Sequence, residues 1–216
     1  MVVQQLQDLL AGIYDVPQAQ DVAQFLFTDR SALPAAVAAG TTDEQLLVAE
    51  QGDTLHLGLF LEVGVLERLA AANPLDELHA GNLADYCTAL EGVSHFTYLA
   101  WNATHDRSVT LLELELQAEI DKYVSGLWLL RAQDPNRFPA ELYAALFERA
   151  HVDATLAGAR AGMYRQANQY AARFCRRLAR TLRPSAPQAR SCAVAELRRF
   201  YRLTSARKIH HIEHSA

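Results

Sequence analysis

Apolar side chains recur every three or four positions along most of this chain, which is the period of a helix with one buried face. The first such segment ends before Pro17, and its apolar positions are Val3, Leu6, Leu9, Leu10 and Ile13. Further helices are predicted at residues 21–27, 63–72, 82–103, 110–131, 139–150, 153–182 and 189–203. The pattern predicts a mainly α protein, built as a helical bundle.

One stretch instead has the two-residue period of a β-strand. Residues 45–49 form one run, and residues 54–61 form another with leucines on one face, at Leu55, Leu57, Leu59 and Leu61. The tripeptide Gln51-Gly52-Asp53 between the two runs is typical of a turn. We expect one small β-hairpin at about residues 45–61. Since an isolated hairpin is marginally stable in water, it should lie against helices.

Local signals mark where several helices begin. Asn82 is in position to cap the helix that follows it. Thr110 and Glu113 have the T-x-x-E spacing of a capping box. Pro139 suits a first helical turn, and Asp153 suits the cap of the long helix after it. Because capping accounts for Glu113, we do not count it among the candidate functional residues.

The bulk composition is that of a globular protein. The chain has 216 residues, of which 50% are hydrophobic and 21% charged, and we expect one domain over residues 1–216 with a sub-boundary near 131–139. Residues 204–216 are expected to form a flexible, His-rich tail. Three cysteines without metal-binding spacing favour a reducing cytoplasm. No apolar run is long enough to predict a membrane span.

Charge is divided unevenly along the chain. Residues 1–130 hold 19 acidic and 4 basic side chains, a formal charge of −15. Residues 131–216 hold 6 acidic and 16 basic side chains, a formal charge of +10. This asymmetry indicates a surface for a protein or nucleic-acid partner, or an acidic half folded against a basic half.

Glutamate and histidine residues on two consecutive predicted helices form a candidate metal site. Glu91 and His95 are four residues apart and share one helix face, and Glu115 and Glu119 share a face of the next helix. The short connection between the helices favours antiparallel packing, in which the two pairs converge. Bundle proteins hold metal ions with inward Glu and His side chains, so a divalent metal is the cofactor of this hypothesis. The alternatives are a solvated polar strip and a structural ion-pair network.

The predicted helix at 153–182 carries arginines on about a third of its circumference. They are Arg165, Arg173, Arg176, Arg177, Arg180 and Arg183. Guanidinium groups bind carboxylates and phosphates well. The face therefore suits another protein or a second copy of this chain as partner, with nucleic acid as the alternative. A merely solvated face is the remaining reading.

Arg160 lies on the opposite, apolar side of the same helix. A buried arginine requires an acidic partner, and Glu119 is our first choice, which predicts a buried ion pair between the two halves of the chain. Asp121 points away from the apolar face of its own helix and is expected to be solvated.

Several enzyme signatures can be set aside. The tail contains H-x-x-E-H at His210, Glu213 and His214, a pattern of inverted zinc peptidases. We expect no third ligand downstream, because only two further residues stand in this sequence. The chain has no P-loop, G-x-G-x-x-G, G-x-S-x-G or C-x-x-C motif. Nucleotide and dinucleotide enzymes are therefore not indicated.

These observations favour a cytoplasmic accessory or adaptor protein that acts through its charged surfaces. It would self-associate or bind another protein. One alternative is a metal-dependent enzyme that uses the four carboxylate and histidine residues. The other is a nucleic-acid-binding protein that uses its arginine face.

Overall fold

The computed structural model describes residues 1–18, 20–134, 140–149, 158–182 and 187–214. The helices in these ranges are α1 (Val2–Tyr14), α2 (Ala35–Ala38), α3 (Val63–Ala71), α4 (Leu83–Ala103), α5 (Leu111–Gln133), α6 (Ala140–Tyr143), α7 (Gly158–Leu182), α8 (Pro187–Tyr201) and α9 (Ser205–His214). A π-helical turn, Ala144–Glu148, continues α6. The strands are β1 (Leu26–Phe27), β2 (Glu44–Gln51) and β3 (Thr54–Leu61). The mainly α fold with a small β element is confirmed.

The predicted hairpin is present as β2 and β3. The two strands are antiparallel, with Gln51 opposite Thr54 across a two-residue turn. Gly52 occupies the first turn position with φ of 58°, a conformation that glycine adopts without steric cost. The turn signal in the sequence therefore located the hairpin correctly.

The helix predicted at residues 21–27 is wrong. Val22–Gln24 forms a single 3₁₀ turn, capped by the carboxylate of Asp21, which accepts a hydrogen bond from the backbone N–H of Ala23. The chain then becomes extended as β1, which pairs in parallel with β3, with Leu26 opposite Leu59. The segment is too short for helical periodicity to be decisive, and the free edge of β3 supplies hydrogen-bonding partners from more than thirty residues away.

The sheet lies on α4, as expected for a hairpin that is unstable alone. Gly92 makes this close approach feasible. A Cβ atom at this position would lie 2.6 Å from Leu59 Cδ1 and 2.9 Å from Glu44 Cγ, well inside van der Waals contact. The missing side chain of Gly92 thus admits both strands and brings Glu44 to the surface of α4.

Helices α4 and α5 pack antiparallel. Tyr98 contacts Glu113 near one end of the pair, and Tyr86 contacts Ser125 near the other. The hydroxyl of Thr110 accepts a hydrogen bond from the N–H of Glu113 at 3.2 Å, as the capping box predicts. Helix α5 is buried on nearly all sides, because α4 and α7 both pack against it.

Asp121 shows the consequence of that burial. Its side chain is 1% exposed and accepts hydrogen bonds from the Tyr14 hydroxyl, from Ser94 Oγ at 2.6 Å and from Gln117 Nε2 at 2.7 Å. The prediction of a solvated Asp121 is wrong. It assumed that α5 has an exposed face, whereas α1 supplies Tyr14 to that side of the helix.

Besides the packing of α7 on α5, the acidic and basic parts of the chain meet where α8 contacts the end of α1. Arg198 Nε donates to the carbonyl oxygen of Ile13 at 3.1 Å. Arg202 donates to the carbonyl oxygens of Tyr14 and Asp15 at 3.0 and 2.8 Å. The last carbonyls of a helix have no intrahelical partner and carry partial negative charge, so these guanidinium groups satisfy and stabilise the end of α1.

The C-terminal segment forms a helix where the sequence predicted a flexible tail. Residues 205–214, expected as part of a flexible tail, form α9, whose Lys208 and Ile212 are buried. The predicted turn at Pro139, the predicted cap at Asp153 and Arg183 lie outside the described residues. Within the described part of the chain, no helix is both long and apolar enough to cross a membrane.

Candidate functional site

Three of the four predicted metal-binding residues converge. Glu91 and His95 of α4 face Glu115 of α5, and one donor atom from each lies within 4.8 Å of the others. The i, i+4 spacing places the first two on one strip of α4, and antiparallel packing brings α5 to that strip. We call these residues the carboxylate–histidine cluster.

The ring of His95 lies between two carboxylates. Its Nδ1 atom is 3.8 Å from Glu44 Oε1, and its Nε2 atom is 3.7 Å from Glu115 Oε2. Both separations exceed hydrogen-bond distance, and His95 is 6% exposed. Among the described residues, His95 Nε2 and Glu44 Oε1 are buried atoms without a hydrogen-bond partner. Such atoms are rare in proteins and commonly indicate a water molecule or ion at the site.

Glu44 is a member of the site that the sequence did not identify. It is the first residue of β2 and reaches α4 because Gly92 leaves room for it. The one available signal was a glycine directly after Glu91 in a helix interior, where it is unfavourable unless another group must approach closely. Nothing in that signal specifies which residue approaches.

Glu119 lies at the edge of the cluster and is not one of the converging donors. Lys122 Nζ donates to Glu119 Oε1 at 2.6 Å and to Glu91 Oε2 at 3.0 Å. Asn168 of α7 donates to the other oxygen of Glu119 at 3.2 Å. Glu119 is therefore held by an ammonium group and an amide, and Lys122 separates it from Glu91.

The predicted buried ion pair of Arg160 with Glu119 is wrong. Arg160 is exposed, and its guanidinium group lies near Tyr164 one turn later on α7. The residue of α7 that reaches Glu119 is Asn168, two turns beyond Arg160 on the same face. An amide suffices at that position because Lys122, three residues along α5, already compensates the charge of Glu119.

The close carboxylates change the pKa of the histidine. Burial by itself lowers the pKa of His95, but the charges of Glu44, Glu115 and Glu91 raise it to about 9. Burial, with the charges of Glu91 and Glu44, raises the pKa of Glu115 to about 7. The cluster therefore holds protons at neutral pH that ordinary histidine and glutamate residues would release.

Lys122 has the opposite effect on the outer carboxylate. Burial opposes ionisation of Glu91, but the ammonium group of Lys122 and the charge of His95 lower its pKa. Burial likewise opposes the charge of Lys122, and Glu91 with Glu119 raises its pKa well above the usual value. Four glutamates thus surround one lysine and one histidine, leaving an excess of negative charge.

The arginine face of α7 is divided between solvent and the protein interior. Arg165, Arg173, Arg176 and Arg180 are exposed. Arg177 is not, since it forms a 2.6 Å ion pair with Glu196 of α8 and contacts His211 of α9 at 2.8 Å. The structure therefore leaves four of the six predicted residues at the surface, and Arg183 lies outside the described residues.

A second buried polar group lies on the opposite side of α5, at the same level as the cluster. Lys208 of α9 is fully buried, donates to Gln117 Oε1 at 2.6 Å, and lies 4.2 Å above the ring of Tyr98. Burial lowers the pKa of Lys208 to about 7, although the charges of Glu113 and Asp121 oppose this shift. The carboxylate of Glu113, which capping had seemed to explain, also accepts a 2.6 Å hydrogen bond from Tyr98.

Comparison of the chain with known protein families, with curated proteins and with solved structures found no match. Function must therefore be inferred from the chemistry of the clustered residues.

Proposed function

We propose that this protein is a metal-dependent enzyme that binds a divalent transition-metal ion at Glu91, His95 and Glu115. One observation carries the proposal: donor atoms of these three buried or half-buried side chains converge within 4.8 Å, and His95 Nε2 has no hydrogen-bond partner there among the described residues. A structural ion-pair network would be expected to close this gap with a hydrogen bond.

The separation between His95 and Glu115 suits a metal ion. Metal–nitrogen and metal–oxygen bonds of about 2.1 Å place neighbouring ligands roughly 3.0–3.4 Å apart. The 3.7 Å between His95 Nε2 and Glu115 Oε2 exceeds this by a few tenths of an ångström, which small side-chain rotations can close. One imidazole with two carboxylates suits Mn²⁺, Fe²⁺ or Zn²⁺ better than soft ions.

The surrounding residues would hold these ligands in place. Glu44 faces Nδ1 of His95, the position where a carboxylate accepts the second ring N–H of a metal-bound histidine. Lys122 binds Glu91 at 3.0 Å and so fixes one oxygen of that carboxylate. Supporting contacts of this kind are usual around protein metal ions.

The chemistry that follows is hydrolysis of a polarised bond. Glu91, His95 and Glu115 would hold the ion, which would supply an acidified water molecule and polarise a substrate oxygen. Burial and the neighbouring carboxylates raise the pKa of Glu115 to about 7, so a metal ion bound at this carboxylate would displace its proton. Tyr164 of α7 remains a hydroxyl donor, because burial and the charge of Glu115 raise its pKa to about 12.

Elemental analysis of the purified protein tests the proposal. Exposed His210 and His214 should first be replaced by alanine, since they stack on one another and could bind metal adventitiously. We expect close to one equivalent of Mn, Fe or Zn, lost in a His95→Ala variant. Absence of metal, together with no binding of added Mn²⁺ or Zn²⁺, would contradict the proposal.

A second role is supported by the exposed arginines of α7. Arg165, Arg173 and Arg180 present positive charge to solvent, and we propose that they bind an acidic surface of another protein, making this chain an accessory to that partner. Charge reversal of these three residues should abolish capture of the partner in a pull-down and leave metal content unchanged. Salt-dependent binding to DNA or RNA instead of protein would favour the nucleic-acid alternative.

A further inference from the structure

An apolar cavity lies between α5, α7 and α8, away from the carboxylate–histidine cluster. Its volume is about 320 Å³, within the range of small-molecule sites. Leu127 of α5, Leu178 of α7 and Leu197 of α8 supply aliphatic walls. These leucines are themselves buried in the core, so the base of the cavity is continuous with the packed interior.

Trp128 forms part of the cavity wall and is 48% exposed. A half-exposed tryptophan beside an apolar cavity leaves a large apolar surface in water, which a ligand would cover. By contrast, Trp101 is packed in an aromatic group with Tyr98 and Tyr201. Trp128 is therefore the more exposed of the two tryptophans.

The charged residues of the cavity all have one sign. Among its lining residues in the described part of the chain, Arg131 and Arg190 are charged and none is acidic. Arg131 donates to the carbonyl oxygen of Leu182 at 3.3 Å. Arg190, in the second turn of α8, is exposed. The rim thus offers guanidinium groups to an anion, while the interior offers hydrocarbon.

We propose that this cavity binds an amphipathic carboxylate, an anion with a linear hydrocarbon body such as a medium-chain fatty acid. The hydrocarbon would lie along the leucine walls and cover Trp128, gaining free energy in proportion to the apolar area of Trp128 removed from water. The carboxylate would bind Arg190, whose planar guanidinium group can donate two parallel hydrogen bonds. An aliphatic alcohol lacks the charge that this second contact requires.

Calorimetric titration of the full chain with decanoate, kept below its micellar concentration, tests the proposal. We expect saturable binding at one equivalent, with at least tenfold weaker binding of 1-decanol. Arg190→Gln should weaken decanoate binding about tenfold, the equivalent of 1.4 kcal/mol, and should not affect decanol. Arg199→Gln, which changes an exposed arginine of the same helix that does not line the cavity, should leave both affinities unchanged.

A cavity-filling variant gives an independent measurement. Val194 lines the cavity and is only partly buried, so Val194→Phe should fold and should abolish decanoate binding. Equal affinity for decanoate and decanol, or equal loss in the Arg190 and Arg199 variants, would overturn the proposal. So would a stable dimer that buries Trp128 and shows no decanoate binding, since a second copy would then be the occupant.

Discussion

His95 Nε2 lies 3.7 Å from Glu115 Oε2, a separation too long for a hydrogen bond and close to that of two ligands on one metal ion. The two atoms come from different helices, and neither α4 nor α5 can adjust freely because both are packed in the core. The gap is therefore a property of how the two helices pack, and it leads to the first prediction.

Metal binding should stabilise the folded protein through this pair. At a metal concentration 100 times Kd, the gain is about 2.7 kcal/mol, which for a chain of this size corresponds to a rise in Tm of roughly 5–10 °C. Calorimetric melting with Mn²⁺ or Zn²⁺ measures it, with His210 and His214 replaced. Glu115→Gln should lose the rise, whereas Glu119→Gln should keep it. An equal loss in both variants would show that Glu119 is also a ligand.

Gly92→Ala should destabilise the protein by about 1–3 kcal/mol, because the added Cβ overlaps Leu59 and Glu44 and forces the hairpin away from α4. Urea unfolding measures the change. Gly12→Ala in α1 is the matched control, since a Cβ there meets nothing within 4 Å. It should stabilise α1 by about 0.5–1 kcal/mol. Similar effects at both positions would mean that the approach of the sheet does not depend on Gly92.

Replacing Lys122 should cost far more than replacing Arg160. Lys122→Met leaves Glu91 and Glu119 without their common cation. The free energy of unfolding should fall by about 3 kcal/mol, the lower end of the range for a buried ion pair. We expect the lower end because Glu91 is 30% exposed. Arg160→Ala removes an exposed side chain and should change the free energy of unfolding by less than about 0.5 kcal/mol. Denaturant unfolding of both variants measures these two changes in the free energy of unfolding. A large loss of stability in Arg160→Ala would support the buried ion pair predicted from the sequence.

Lys208 should make stability depend on pH in the alkaline range. Its pKa is about 7 in the folded protein and about 10.4 when unfolded. Between these values the unfolded chain binds the proton and the folded chain does not. The free energy of unfolding should therefore rise with pH from about 7 to 10, by up to about 1.4 kcal/mol per unit.

Comparing the wild type with Lys208→Met separates the contribution of Lys208 to the pH dependence of stability from the contributions of other titratable groups. Urea unfolding of both proteins at pH 6.5, 8 and 9.5 should show a difference that changes with pH in favour of the wild type. Glu113 and Asp121 face Lys208 and oppose its loss of charge, an effect already contained in the pKa of about 7. The slope should approach the single-proton limit only well inside the pH window, because close to either pKa both states bind part of a proton. Parallel pH profiles would indicate that Lys208 keeps its proton in the folded state.

Helix and hairpin positions were largely predictable because their signals are local. The Thr110 cap, the Gly52 turn and the 3.6-residue period each involve residues close in the sequence. The error at residues 21–27 has the same origin, since β1 exists only by pairing with β3, a strand formed much later in the chain.

The sequence by itself determined that this protein is mainly helical with one hairpin, and it predicted that Glu91 and His95 of one helix would converge with Glu115 and Glu119 of the next. Only the tertiary structure decided that Glu44 joins them, that Asp121 and Lys208 are buried, and that Arg160 is exposed. Burial and charge compensation depend on which distant elements pack against a residue. Helical periodicity identifies which residues share a face, but it does not reveal what covers that face.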